Sequence, residues 1–228
     1  MDLNKQIVKK HFDKLASIKY ERQGEIPINR NLLIKFCKNK KLKSLERINR
    51  EDIFKLTNDK FVSDFELTIL VLLWGGIRKS NLELFIEEKK KWTPLINEIR
   101  NSKKSNRKDV FKKFQELRKN GSIKGVGIAF YTKLIYFLSK DRSNVGYILD
   151  QWTAKSINLL FTPKEIKLYG SSFVSDKNDE SNYERFCKKI EFLSKKLKCT
   201  PSEAEEMIFS YGGRKRGEWR IYLNDNYN

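Results

Sequence analysis

The chain has one histidine, His11, and three scattered cysteines, Cys37, Cys187 and Cys199. An odd, dispersed set of thiols gives no disulfide framework. One imidazole leaves a Cys/His zinc site without its ligands, and an iron–sulfur cluster would need four cysteines. The expectation is chemistry without metal or cofactor. His11 sits in a charged amino-terminal segment, so a general base must be sought among carboxylates and lysines. Long apolar runs are also missing. The longest, around Leu67 to Trp74, falls well short of the roughly 20 residues that a bilayer span needs. Met1 to Lys10 has no apolar core of the kind a signal peptide carries, so a soluble, cytoplasmic protein is expected.

Acid is scarce relative to base: 29 Asp plus Glu stand against 48 Lys plus Arg, a formal net charge of +19 over 228 residues. A field of that strength calls for a polyanion, and with no membrane segment the natural one is nucleic acid. The length suits one unit with a good core, or two intimately packed helical lobes. Prolines and glycines are few, four and eleven, and fall mostly between periodic segments, so the chain reads as all-α.

The sequence from Phe61 to Leu73 is apolar nearly all round, as for a helix buried at the centre of a bundle, and it ends at Trp74-Gly75-Gly76. Val110, Phe111, Phe114 and Leu117 mark one face of a basic amphipathic helix, reached through a polar loop from Asn101 to Arg107. Tyr183, Phe186, Cys187, Ile190, Leu193 and Leu197 repeat at helical spacing, and Thr200-Pro201-Ser202-Glu203 is a capping box that opens a last helix near residue 201.

Two segments carry candidate chemistry. In Gly121-Ser122-Ile123-Lys124-Gly125-Val126-Gly127 a helix runs into a glycine hairpin that opens a second, apolar helix. Such glycines let a backbone approach closely, and the free N–H groups of the new helix point at an anion such as a DNA phosphate. An ordinary turn between core helices has the same signature. Downstream, Gly146-Tyr147-Ile148-Leu149-Asp150-Gln151-Trp152 places an aspartate at the start of another helix, where it serves as N-cap, as a functional carboxylate, or as both.

Ile123, Gly125, Val126 and Gly127, followed by Asp150 about twenty residues on, resemble the helix-hairpin-helix DNA glycosylases, most closely their 8-oxoguanine glycosylase-like branch. The ending Ile208-Phe209-Ser210-Tyr211 with Trp219-Arg220 is similar to that branch's aromatic-rich last helix. The resemblance implies an all-α, two-lobed fold with the active-site cleft between lobes. On that reading 1–228 is one glycosylase unit: 1–60 a helical N-terminal lobe, 61–160 the core, 161–228 the C-terminal helices. It implies a monomer acting on double-stranded DNA, nucleoid-associated in a prokaryote, that flips out a modified base and cleaves its glycosidic bond without a cofactor. Asp150 would stabilise the positive charge developing on the deoxyribose.

Bifunctional members carry a lysine two residues after the second hairpin glycine, and here that slot is Ala129. Lys133 lies four residues on, about 40° and roughly 6 Å along the same helix face, and is the candidate nucleophile that reaches back. If it is a surface lysine instead, Asp150 would act with water. Lys124, Gly125, Val126 and Gly127 would hold phosphate. Gly76, Ile77 and Arg78 would form the turn that enters the duplex, with Ile77 as wedge and Arg78 on the orphan base. Trp74, Trp152 and Trp219 are candidates for the base pocket, and Arg214, Lys215, Arg216, Trp219 and Arg220 form a basic and aromatic ending suited to phosphate contacts or a pocket wall, or else to a flexible charged tail. Oxidised guanine is the default substrate of the branch; hypermodified cytosine of phage DNA, removed in antiviral defence, is the alternative that the displaced lysine favours. A non-catalytic helix-hairpin-helix DNA-binding module and a basic RNA-binding helical protein are the competing classes.

Overall fold

Apolar residues at helical spacing become fourteen helices in the computed structural model, which describes residues 2–102, 106–139, 144–170, 172–210 and 216–227. Residues 1–23 carry α1 (Leu3–Gln6) and α2 (Lys9–Ala16). Residues 24–146 carry β1 (Ile26–Pro27), α3 (Arg30–Phe36), α4 (Lys40–Lys43), β2 (Arg47–Ile48), α5 (Arg50–Thr57), α6 (Asp64–Trp74), α7 (Lys79–Glu87), α8 (Lys89–Asn101), α9 (Arg107–Lys119) and α10 (Ile128–Leu138). Residues 147–228 carry α11 (Gln151–Leu160), β3 (Leu168–Tyr169), β4 (Phe173–Val174), α12 (Glu180–Leu197), α13 (Pro201–Phe209) and α14 (Glu218–Asn226). The strands form two antiparallel pairs, with Ile26 opposite Ile48 and Leu168 opposite Val174. The all-α expectation holds. No helix among the described residues is long and apolar enough to cross a membrane.

Contacts group the chain into two units, 24–146 and 1–23 with 147–228. In the first, α6 is buried from Glu66 to Trp74, and α10, buried from Tyr131 to Leu138, packs against α5, α6, α8 and α9. The central helix begins at Asp64 rather than Phe61, because Ser63 and Glu66 cap one another; Phe61 is left 89% exposed. The polar loop expected from Asn101 to Arg107 is shorter than that: Asn101 closes α8, and Arg107 opens α9 as a buried residue donating to the Val145 carbonyl at 3.1 Å.

In the second unit α11 packs against α2, α13, α14 and β4. The N-terminal segment joins it by backbone pairing. Ile7 bridges to Phe161, with Val8 N–H donating to Leu160 O and Thr162 N–H to Gln6 O, each at 2.8 Å. Further along, the Tyr20 hydroxyl and the Gln23 N–H both donate to Glu206 Oε2, at 3.2 and 3.0 Å. The predicted capping box opens α13, but α13 is not the last helix. After residues 211–215, where Tyr211, Arg214 and Lys215 lie outside the described residues, Gly217 starts α14, which buries Trp219, Arg220 and Leu223. An apolar face on Trp219 and Leu223 is incompatible with a solvated tail.

Glu66 does more than cap α6. Its Oε1 accepts from the backbone N–H groups of Lys38 and Asn39 at 2.7 and 2.8 Å, and its Oε2 from the Ser63 N–H and hydroxyl at 3.2 and 2.8 Å. Burial by itself would raise its pKa, but the donors from Asn39, Ser63 and Lys38 outweigh burial and hold it below the ordinary value of 4.5. A depressed carboxylate stabilises the fold above its unfolded pKa and loses that contribution as the pH falls through its folded one. Glu66→Gln should therefore cost about 1–3 kcal/mol at pH 7. The deficit should shrink as denaturation midpoints of the two proteins are followed from pH 5 downward.

Candidate active site

The two glycine turns read from the sequence both lie in residues 24–146. The first ends α6: Gly76 N–H donates to Leu73 O at 3.0 Å and Ile77 N–H to Leu72 O at 3.1 Å, with Gly76 at φ +77°. This is the paired C-terminal closure that requires a left-handed residue and buries the one after it. Ile77 is accordingly 6% exposed. It is packed into the core in this structure, while Gly76 and Arg78 are the exposed members of the turn.

The second turn joins α9 to α10. Arg118 in the last turn of α9 donates to the Val126 carbonyl at 2.9 Å, fixing the hairpin, while Ile123 and Val126 are buried beneath it. Gly125 has φ +71°, and a Cβ there would stand 2.3 Å from the backbone oxygen of Asn81 in α7. Only glycine permits that approach. Gly127 is different: it is the N-cap of α10, has an extended backbone, and a Cβ there would meet nothing within 4 Å. Among the described residues no side chain caps this helix end. Lys124 is exposed beside it, 3.7 Å from Glu88.

Lys133 follows on the same helix. It is 8% exposed, and its Nζ donates to the carbonyl of Ala129 at 2.7 Å and stands 5.3 Å from the Phe130 ring centroid. The side chain thus folds back one turn toward residue 129. Its methylenes cross Gly75, where a Cβ would stand 2.8 Å from Lys133 Cδ. Next to Gly75, Trp74 meets Phe137 edge-on at 5.0 Å, and the buried Arg50 guanidinium lies 5.5 Å from its ring and 5.3 Å from that of Tyr136. The Trp74 indole N–H is buried with no hydrogen-bond partner among the described residues. Arg50 carries no sequence signal that separates it from the other arginines of a basic chain.

Asp150 lies in the other unit, as N-cap of α11. Its Oδ1 accepts from the N–H groups of Trp152 and Thr153 at 2.8 and 3.1 Å. The Thr153 hydroxyl accepts from the Asp150 N–H at 3.0 Å and donates to Ile148 O at 2.9 Å. Among the described residues these bonds engage Oδ1 and leave Oδ2 unused, so the carboxylate is fixed in place and half of it stays available. Trp152, half-buried, stacks against Arg220, whose guanidinium lies 4.6 Å from its ring and 4.7 Å from that of Phe209. Arg220 also donates from Nη2 and Nε to the Phe209 carbonyl at 2.6 and 3.2 Å. Burial pushes its pKa down to about 10, while the nearby Asp150 charge pulls it up and Arg216 pushes it down. The Trp219-Arg220 part of the ending thus supplies a buried cation whose charge is felt by Asp150.

Trp219 is fully buried, donates from Nε1 to Ser156 Oγ at 2.9 Å and stacks on Tyr222. Its one polar side-chain atom is satisfied inside the core. Among the described residues no group of three or more His, Cys, Asp and Glu side chains is placed to hold a metal ion.

The contrast between the hairpin glycines is measurable. Gly125→Ala should lower stability by about 2 kcal/mol or more, since a strained φ and a backbone overlap coincide. Gly127→Ala should stay within roughly 1 kcal/mol of the parent. Thermal or urea denaturation of the two variants gives the comparison.

No curated protein and no solved structure matches the chain. Residues 22–209 match the family described as "Putative 8-oxoguanine DNA glycosylase OGG-like protein". With most of its length, the glycine hairpin and the capping aspartate inside that match, the chain belongs to the 8-oxoguanine DNA glycosylase OGG-like family, whose substrate is DNA.

Proposed function

We propose that this protein excises a modified base from duplex DNA, with Asp150 as the carboxylate that acts on the sugar. One observation carries the reading: Asp150 is locked by its backbone donors through Oδ1 alone, leaving Oδ2 unengaged among the described residues, in a chain of a DNA glycosylase family. Breaking the C1′–N bond sends the electron pair to the departing base and leaves positive charge on the deoxyribose ring. A preorganised carboxylate stabilises that charge without reorganising.

Two routes complete the reaction. Water adds to C1′, loses a proton and yields an abasic site. Alternatively, the neutral amine of Lys133 adds to C1′ and loses a proton; the C1′–O4′ bond then breaks, O4′ takes a proton, and the opened sugar is left as a protonated Schiff base that borohydride reduces to a stable adduct. The return of Lys133 Nζ to the carbonyl of Ala129 supports the second route, because it carries the amine back to the level of the slot that lysine fills in bifunctional relatives. The uncapped N-terminus of α10, with Lys124, Gly125, Val126 and Gly127, holds a phosphate. Gly76 and Arg78 enter the duplex. Trp74, whose buried indole N–H has no partner among the described residues, and Trp152 are each assigned to contact the extruded base. The base is oxidised guanine or, as the displacement of the lysine favours, a hypermodified cytosine of phage DNA excised in defence.

The test is a panel of duplexes, each bearing one modified base, assayed for base release, alkaline cleavage and borohydride trapping. Wild-type protein should release at least one base. Asp150→Asn, which still caps a helix, should slow release about a hundredfold or more while DNA affinity holds or rises slightly through reduced repulsion. Lys133→Ala should abolish trapping; trapping that survives it assigns the Schiff base to another amine, and base release by wild type without trapping returns the chemistry to water. Gly127→Ala should weaken duplex binding severalfold with its fold intact. Tight, salt-sensitive DNA binding with no release from any duplex would replace the catalytic reading by a non-catalytic binding module.

A further inference from the structure

The segment between α11 and α12 carries a feature that excision chemistry does not use. Tyr169 and Phe173 are directly opposite in the β3–β4 register and are 76% and 68% exposed. Side chains alternate between the faces of a strand. One face of this hairpin therefore presents Lys167, Tyr169 and Phe173, while the other carries Leu168 and Val174, which are half-buried, with β4 packed against α11. The exposed pair does not ride on a loose loop. The buried Asn178 side chain accepts from Lys167 N–H at 2.8 Å and donates to Lys167 O at 2.8 Å and Ser175 O at 2.7 Å, closing the open end of the hairpin. The buried Asn158 of α11 donates to Ile166 O at 2.7 Å and accepts from Ile166 N–H at 3.0 Å, locking the entering strand to the helix that Asp150 caps.

Two large aromatic faces left in water, adjacent in register, on a rigid mount and beside a lysine, have the composition of a surface on which bases stack. Exposed Lys164, Lys167 and Lys177 flank the hairpin, and a chain of net charge +19 repels a second copy of itself but attracts a polyanion. We propose that the outer face of the β3–β4 hairpin, through Tyr169 and Phe173, stacks on unpaired bases of the bound DNA strand. The proposal rests on DNA being the substrate, and is independent of the roles given to Asp150 and Lys133.

The experiment compares binding of fully paired duplex and of the same duplex with a short unpaired stretch, by fluorescence anisotropy across a salt series. The proteins are wild type, the Tyr169→Ala/Phe173→Ala double variant and Phe61→Ala, an exposed phenyl elsewhere in the chain. The double variant should lose about tenfold or more in affinity for the unpaired DNA and less for the paired one, with an unchanged salt slope because no phosphate contact is removed. Phe61→Ala should bind as wild type, and Tyr169→Trp should retain affinity with indole fluorescence quenched on adding DNA. Unchanged affinity in the double variant, while wild type binds, overturns the hairpin proposal alone. A change of its sedimentation from dimer to monomer overturns it in favour of a second copy on this face. Wild type binding neither duplex overturns the DNA reading and this proposal together.

Discussion

The first unit depends on the place where the backbone at Gly125 touches the backbone at Asn81. A turn and a helix that are far apart in sequence can meet this closely only if one contributes no side chain. The contact fixes where α10 begins, and a helix, once its start is set, fixes the direction of every side chain along it. Lys133 then crosses Gly75, and Phe137, one turn further, meets Trp74. Gly75 leaves open the space through which the lysine's methylenes pass, so one candidate catalytic side chain runs over a position that carries no side chain.

The second unit achieves fixity by the opposite means, saturation. Around Asp150 the helix end, the Thr153 hydroxyl and the Ile148 carbonyl exchange hydrogen bonds in a closed local circuit. Arg220 is held between Trp152 and Phe209 and on the carbonyl that ends α13. A buried guanidinium is costly unless it is stacked, hydrogen-bonded and near a negative charge, and this one has all three. The favourable orientation of an arginine at a helix carboxyl end adds to the same result.

What was legible in the sequence followed from local rules. Helical class, the all-round burial of α6, the capping box at Thr200, the hairpin and the aspartate at a helix start each depend on residues within one or two turns of one another. Where tertiary contact decides, the sequence was silent or misleading. Nothing near Ile77 in sequence tells that the closing turn of α6 buries it, and nothing near Trp219 tells that its indole N–H donates to Ser156, sixty-three positions away. Arg50 and Asn81 have no local signature at all, because their importance lies in partners brought by other helices. The aromatic hairpin was overlooked for a related reason: strands of two residues are too short to show alternation.

The pairing of Ile7 with Phe161 has a consequence for the order in which the molecule is made. Residues 24–146 have their partners within one uninterrupted stretch and can fold as soon as that stretch has left the ribosome. Residues 1–23 emerge before them, yet their partners, Phe161, Glu206 and Tyr222, are synthesised only later. The N-terminal segment must therefore wait, unpaired, through the birth of a whole folded unit, and its capture is a late step that closes a long loop of already structured chain.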